Sequence, residues 1–420
     1  MAQSSLKTSL TGAIGNVLEW YDFAVFGFVA PLISAQFFPS SDPRSGLIKT
    51  FGVFAAGYLA RPIGGVFFGQ IGDRLGRKRA LQISIASMAV PTTLMTVLPT
   101  HAQVGLLAPI LLVILRLAQG LSVGGEFIGS SCYLVEVAPA KRRGLSGSWS
   151  MFGAVTGILL GSAAATLAHN LLSPEQIHTW GWRLPFLGGL LVGVIGWRMR
   201  RGIAETPEFE KVRKAGATET LPAVQALREM PWRVVQVGGI VLLLGVGIYT
   251  LFVWMPTYLT HFVQPPVTHA LLINTLAMVL LIAVMPVAGI LADRFGYKLV
   301  LSTGALLTSI VVYPLFRWMD TGSVVAVCIA MAVFAVLNGC VQGAMAVAMV
   351  DLFPPRLRYS GMAIGYNMTL AIFGGTAPLV ATWLITETGD LTAPAWYLVI
   401  ISVATLLFTL SMKPYPEGQR

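Results

Sequence analysis

The sequence predicts an all-α membrane protein of twelve transmembrane helices in two six-helix bundles, and three observations carry that prediction. Composition is the first: 55% of the 420 residues are hydrophobic and 11% charged, the mean hydropathy is +0.74, and soluble domains carry about 25% charged residues. Second, apolar runs of about 20 residues or more, enough to cross a hydrocarbon core of about 30 Å, recur to both ends of the chain. Third, Gly69-Gln-Ile-Gly72-Asp73-Arg74-Leu-Gly76-Arg77-Lys78-Arg79 is echoed at Gly289-Ile-Leu-Ala-Asp293-Arg294-Phe-Gly296-Tyr297-Lys298. Asp293 stands 220 residues after Asp73, about half the chain, so the repeat implies two similar halves.

Taken in order, the spans are expected near 10–38, 48–71, 80–99, 106–138, 144–170, 181–200, 233–262, 268–292, 299–319, 322–350, 358–385 and 393–413. The halves are then 1–200 and 233–420. Between them, 201–232 is the one sizeable polar stretch, read as a cytoplasmic linker. With the N-terminus inside, 22 of the 28 lysines and arginines fall on cytoplasmic segments, so the positive-inside bias puts both termini in the cytoplasm. The net charge of +10 is thereby topological, and no nucleic-acid partner is expected. The first apolar stretch is too long and too polar inside for a cleavable signal. Cys132, Cys328 and Cys340 sit in spans at no metal-ligand spacing and read as packing residues. After Met412 only Lys413 to Arg420 follow, and no regulatory tail is expected.

Ionisable residues at bilayer depth are costly, about 2.5–3.5 kcal/mol each on insertion scales, and so mark function or obligatory pairing. The first helix carries Asn16, Glu19 and Asp22 at intervals of three, hence on one face. The second carries Arg61, about 18 Å from Asp73 at 1.5 Å per residue, and the fourth carries Arg116 and Glu126. A buried acid near an arginine suits a proton carrier whose charge responds to conformation. The same residues also suit a permanent ion-pair network, and Arg61 can satisfy carbonyls freed by Pro62. The second half has no comparable buried acid or base. Its candidates for substrate contact are Tyr249 and Trp254, Asn338 and Gln342, and Tyr366 and Asn367, although Trp254 reads better as core. Proton handling is therefore assigned to Glu19, Asp22, Arg116 and Glu126. Substrate binding is assigned to Asn16, Tyr21, Arg61, Arg116, Tyr249, Asn338, Gln342, Tyr366 and Asn367.

Gly15-Asn16-Val-Leu-Glu19-Trp20-Tyr21-Asp22-Phe23, Ala60-Arg61-Pro62-Ile-Gly64-Gly65, the Gly69 to Arg79 motif, Arg116-Leu-Ala-Gln119-Gly120-Leu-Ser-Val-Gly124-Gly125-Glu126, Trp180-Gly181-Trp182-Arg183-Leu-Pro185-Phe186 and Phe373-Gly374-Gly375-Thr376-Ala-Pro378 together resemble the metabolite:proton symporters of the major facilitator superfamily. That resemblance covers nearly the whole chain. It implies two bundles that rock about a central cavity in a bacterial inner membrane, and a substrate among proline, glycine betaine, 2-oxoglutarate, citrate and shikimate. It implies no cofactor beyond the proton gradient, and a monomer is expected to suffice.

A latch is expected at the cytoplasmic face. Gly69 and Gly72 allow close helix approach, and Asp73 is placed to accept hydrogen bonds from the N-terminus of the eleventh helix near Tyr359. Arg74 and Arg77 are expected to pair with Glu136, in the segment that runs on to Arg143. Asp293, Arg294, Asp351 and Arg358 mirror this in the second half.

Other classes fit poorly. The glycine-rich stretches at 120–125 and 153–161 lie within apolar helices and lack the strand and Lys-Ser/Thr of a nucleotide loop. No nucleophile-base or metal-ligand set suggests an enzyme, and a channel needs no acid-base latch. The expected function is proton-coupled uptake of a small carboxylate-bearing metabolite, a di- or tricarboxylate, another organic acid or a proline-like zwitterion, with a proton-driven exporter as the alternative.

Overall fold

A computed structural model describes residues 16–17, 19–64, 77–122, 126–136, 138–201 and 222–413. Gly69, Asp73 and Arg74 lie outside them, as do the side chains of Arg77 and Glu126. Among the described residues, eight helices are long and apolar enough to cross a membrane, and four further helical segments stand where the remaining spans are expected. We number the spans α1 (16–17, 19–28 and Ala30–Phe37), α2 (Pro43–Leu59 and the continuation 61–64), α3 (Arg77–Met95), α4 (Leu107–Ser122 and Glu126–Glu136), α5 (Arg143–Leu171) and α6 (Leu184–Arg201). In the second half, α7 is Pro231–His261, α8 Ala270–Phe295, α9 Tyr297–Met319, α10 Val324–Val350, α11 Leu357–Thr388 and α12 Ala393–Ser411.

Local chemistry sets the boundaries. Asp42 accepts from the backbone N–H of Arg44 and Ser45 with Pro43 as the first helical residue, so α2 starts on a charged cap. Ser323 caps α10 through Ala326 N, and Gly296, at φ 89°, makes the sharp turn between α8 and α9. Both α7 and α11 contain a π-helical turn, Tyr249–Trp254 and Leu370–Gly374. Each turn precedes a segment that opens with a proline, Pro256 or Pro378, which cannot donate to the preceding turn.

Helices α1, α2, α4 and α5 face α7, α8, α10 and α11, while α3 and α6 flank the first half and α9 and α12 the second. Glycine makes two of these crossings possible: a Cβ on Gly27 would fall 2.2 Å from a Val253 methyl, and one on Gly375 would fall 2.2 Å from Tyr58 Cβ. Large apolar side chains such as Leu106, Leu171, Leu191 and Ile400 point outward, as lipid contact requires.

Candidate functional site

Two polar groups occupy the middle of the molecule. In the first, Glu19 of α1 accepts from Arg61 Nη2 at 3.0 Å, both side chains being almost wholly buried. Burial of this pair is tolerable because the two charges meet each other and the cation also lies against aromatic faces: the Arg61 guanidinium carbon lies 5.2–5.4 Å from the ring centres of Trp20, Phe23 and Tyr58. Across the interface, the Tyr58 and Tyr249 hydroxyls hydrogen-bond to each other, and Tyr366 stacks on Phe127 at 4.8 Å. The first site therefore has a cation, an anion and aromatic walls drawn from both halves.

In the second group, Asp22 is fully buried on the same face of α1, one turn beyond Glu19. Of the acids expected near an arginine, Asp22 makes no direct bond to Arg116. Arg116 Nη1 donates to Gln119 Oε1 at 2.8 Å, Gln119 Nε2 to Thr92 Oγ1 at 2.5 Å, and Thr92 Oγ1 to Asp22 Oδ2 at 3.1 Å. Gln119 lies one turn from Arg116 on α4, so the link from Arg116 to Asp22 runs through Gln119 and Thr92. Asp22 Oδ1 and the Nε and Nη2 of Arg116 have no hydrogen-bond partner among the described residues. Arg116 is enclosed by Phe23, Phe26 and Phe54 at 4.5–5.4 Å. Helix α6 closes in on Asp22 only because residue 189 is glycine: a Cβ there would lie 2.3 Å from Thr92 Cγ2 and 2.9 Å from Asp22 Oδ1.

The other predicted residues separate. Asn16 donates to Ser130 Oγ and Ser150 O, tying α1 to α4 and α5. Tyr21 turns towards α6 and donates to Pro185 O at 2.7 Å. Asn338 accepts from Gln342 one turn on, so the pair shares a face as its spacing implies. Asn367 is buried. Trp254 donates to Thr382 Oγ1 and belongs to the core. Glu19, Arg61, Tyr249, Tyr366, Asn338 and Gln342 all lie within 6% exposure, so the central residues are closed off from water in this conformation.

The latch is built across the halves. Asp293 accepts from the backbone N–H of Gly144 at 2.6 Å and Leu145 at 2.9 Å, placing a carboxylate on the N-terminus of α5. Gly289 and Gly144 make the approach possible, since a Cβ on either would fall 2.5–2.7 Å from the other's carbonyl oxygen. Glu136 pairs with Arg358 of the other half, while its expected pairing with Arg74 and Arg77 falls on side chains outside the described residues. In return, Arg143 pairs with Asp351 at 2.8 Å. Asp351 stands 215 residues after Glu136, and Arg358 stands 215 after Arg143, so the two bridges are the same contact made twice about the pseudo-twofold axis. Arg358 also donates to Val350 O and Phe353 O, closing the C-terminal end of α10. Arg294 lies instead over Phe295. Towards the opposite end, Ser162 and Thr166 of α5 hydrogen-bond Thr275 of α8, so the halves are joined at both ends.

Residues 8–229 match the family model described as sugar (and other) transporter, and residues 263–420 match that of the major facilitator superfamily. The chain is 36% identical over 418 residues to the proline/betaine transporter of Salmonella typhimurium, covering 97% of this chain and 83% of that protein. It is 37% identical over 417 residues to the glycine betaine/proline/ectoine/pipecolic acid transporter OusA of Dickeya dadantii, with the same two coverages. The chain belongs to the metabolite:proton symporter branch of the major facilitator superfamily. Among solved structures, the partially occluded inward-open xylose transporter XylE from E. coli superimposes with a TM-score of 0.77 over 99% of each chain, at 19% identity. This protein is thus a multi-pass membrane protein and a secondary transporter with a small-molecule substrate, not an enzyme.

In such a transporter the latch has a measurable consequence. Asp293→Asn removes a negative charge from a helix N-terminus, worth about 1 kcal/mol, or about a fivefold change in the balance between conformations. Cysteine labelling from the latch end should rise accordingly, and more for Asp73→Asn, whose motif carries the larger basic cluster. Unchanged labelling in both variants would leave the motifs a role in insertion alone.

Sequence reading passed over Tyr58, Thr92, Gln119 and Phe127 as site residues. Tyr58 and Gln119 each lie three residues from a buried arginine, a spacing that carries the signal. Thr92 meets Asp22 from a separate helix, and only the packing of α1 on α3 reveals it.

Proposed function

We propose that this transporter takes up a proline- or betaine-like zwitterion together with a proton, with both termini in the cytoplasm of a bacterial cell and the latch at the cytoplasmic face. The observation that supports it best is the internal Glu19–Arg61 pair walled by Trp20, Tyr58, Tyr249 and Tyr366. A zwitterion can exchange with that pair: its carboxylate takes the planar fork of Arg61, its ammonium faces Glu19, and the rings favour an alkylated cation. The pair is neutral, so a di- or tricarboxylate would leave net negative charge in a closed site, at a high cost in desolvation. The names of the relatives point the same way.

Asp22 is the proposed proton carrier. It is separated from Arg116 by two side chains and has an unpartnered oxygen, an environment that accepts a neutral carboxyl more readily than an uncompensated charge. Protonated and loaded, the site closes as it does in this conformation. Release of both to the cytoplasm follows when the Asp293, Glu136–Arg358 and Arg143–Asp351 contacts part.

Radiolabelled proline, glycine betaine, citrate and 2-oxoglutarate should be compared in proteoliposomes under an imposed inward proton gradient. Accumulation of the zwitterions and not of the polycarboxylates is expected; accumulation of citrate or 2-oxoglutarate alone would overturn the zwitterion reading.

A further inference from the structure

Asp22 and Arg116 act on each other through a chain whose polarity is fixed by chemistry. An arginine only donates, so Gln119 must present Oε1 to Arg116 and Nε2 to Thr92. Thr92 Oγ1 therefore accepts from Gln119 and has one hydrogen left to give. Two acceptors lie within reach of that hydrogen: Asp22 Oδ2 at 3.1 Å and the Met88 carbonyl, one turn back on α3, at 3.0 Å. A hydroxyl facing a charged and a neutral acceptor has two settings, separated by a rotation about one bond. With Asp22 ionised, the hydrogen belongs on the carboxylate, since hydrogen bonds to charged groups are the stronger ones. With Asp22 protonated, the hydrogen can return to Met88.

We propose that Gln119 and Thr92 are positioning residues for the transported proton: they convey the charge of Arg116 to Asp22 as a donated hydrogen bond, and the Thr92 hydroxyl switches between Asp22 and Met88 as the proton comes and goes. Asp22 gains one proton from water on the open side and passes from anion to neutral acid, while Thr92 and Gln119 exchange no proton. The arrangement lets the carboxylate form survive in a site without an ion pair, which is what the empty carrier must do on its return. A direct salt bridge would hold the anion too firmly for reprotonation, and an isolated aspartate would never release its proton.

Among the described residues, the other ionisable groups around Asp22 are accounted for. On α1, Glu19 is held by Arg61 of α2, and the Tyr21 hydroxyl is committed to Pro185 of α6. Tyr58 of α2 is bonded to Tyr249 of α7. Helix α6 presents Gly188 and Gly189 to α1 at this level, and α3 presents Thr92. Arg116 is thus the cation whose influence reaches Asp22, and it arrives through Gln119.

This inference rests on the proton-carrier reading of Asp22, and the test separates the two. Radiolabelled glycine betaine, whose charge is constant between about pH 5 and 9 because its nitrogen is quaternary, should be followed into proteoliposomes over that pH range. Thr92→Val and Gln119→Leu each remove a link in the donor chain and should move the midpoint of the pH profile upward by about one unit, a tenfold change in proton concentration. Thr92→Ser restores the hydroxyl and should restore the wild-type midpoint. Asp22→Asn should flatten the profile. A flat Asp22→Asn profile with unmoved midpoints in both Thr92→Val and Gln119→Leu would overturn the chain while sparing the carrier. Lowered maximal rates at an unmoved midpoint would likewise reduce these residues to packing. A wild-type profile in Asp22→Asn would remove the carrier, and the chain with it.

Discussion

Asp22→Asn abolishes proton-driven accumulation while leaving exchange of labelled for unlabelled substrate measurable. An amide is nearly isosteric with the carboxyl and retains an oxygen to accept from Thr92 at 3.1 Å, so the packing of α1 on α3 and the close approach of Gly189 are preserved. It cannot take or lose a proton in the working range. The carrier is then locked in the neutral form, which exchanges substrate across the membrane but gains nothing from the gradient. Accumulation against a gradient should be lost, and counterflow should persist. Full accumulation in Asp22→Asn would transfer the proton to another group, with Glu19 the next to test.

Glu19→Gln and Arg61→Lys should both weaken zwitterion binding, by about 2 kcal/mol or roughly thirtyfold, and for different reasons. Arg61→Lys keeps the charge and loses the fork that holds a carboxylate with two hydrogen bonds. It also loses the flat cation that lies against Trp20, Phe23 and Tyr58. Glu19→Gln leaves Arg61 without its buried counter-charge, so the site should turn towards simple anions: a monocarboxylate with no ammonium should compete better than in the wild type. Tryptophan fluorescence quenching or isothermal titration on purified protein reads both effects. Competition that does not change with Glu19→Gln would mean that the ammonium is recognised elsewhere, by the Tyr249 and Tyr366 rings alone.

The spans were legible because lipid leaves a backbone few choices: every carbonyl and amide must be paired within the segment, so length and apolarity alone mark a helix. The latch residues were legible too, as acids and bases at the ends of otherwise apolar runs. The exchange of partners between the halves, Arg358 with Glu136 and Arg143 with Asp351, was not. Intervals of three place Glu19 and Asp22 on one face of α1, yet the first meets Arg61 of α2 and the second Thr92 of α3, a divergence decided by which helix packs where. Arg116 donates to the neutral Gln119 one turn further along α4 and not to a buried acid, and it is Thr92 that bonds Asp22. For Glu136 the sequence held more than was drawn from it. The 215-residue offset that relates Glu136 to Asp351 also relates Arg143 to Arg358, so two halves meeting face to face would exchange these charges reciprocally, as they do.

The most direct test of proton-coupled zwitterion uptake is proton movement itself. Glycine betaine added to proteoliposomes in weakly buffered medium, with no imposed pH gradient and with the membrane potential clamped at zero, should drive alkalinisation of the outside in fixed proportion to betaine uptake. Asp22→Asn vesicles preloaded with unlabelled betaine should exchange it for labelled betaine with no pH change. Betaine uptake by the wild type without any external alkalinisation would contradict the account at its centre.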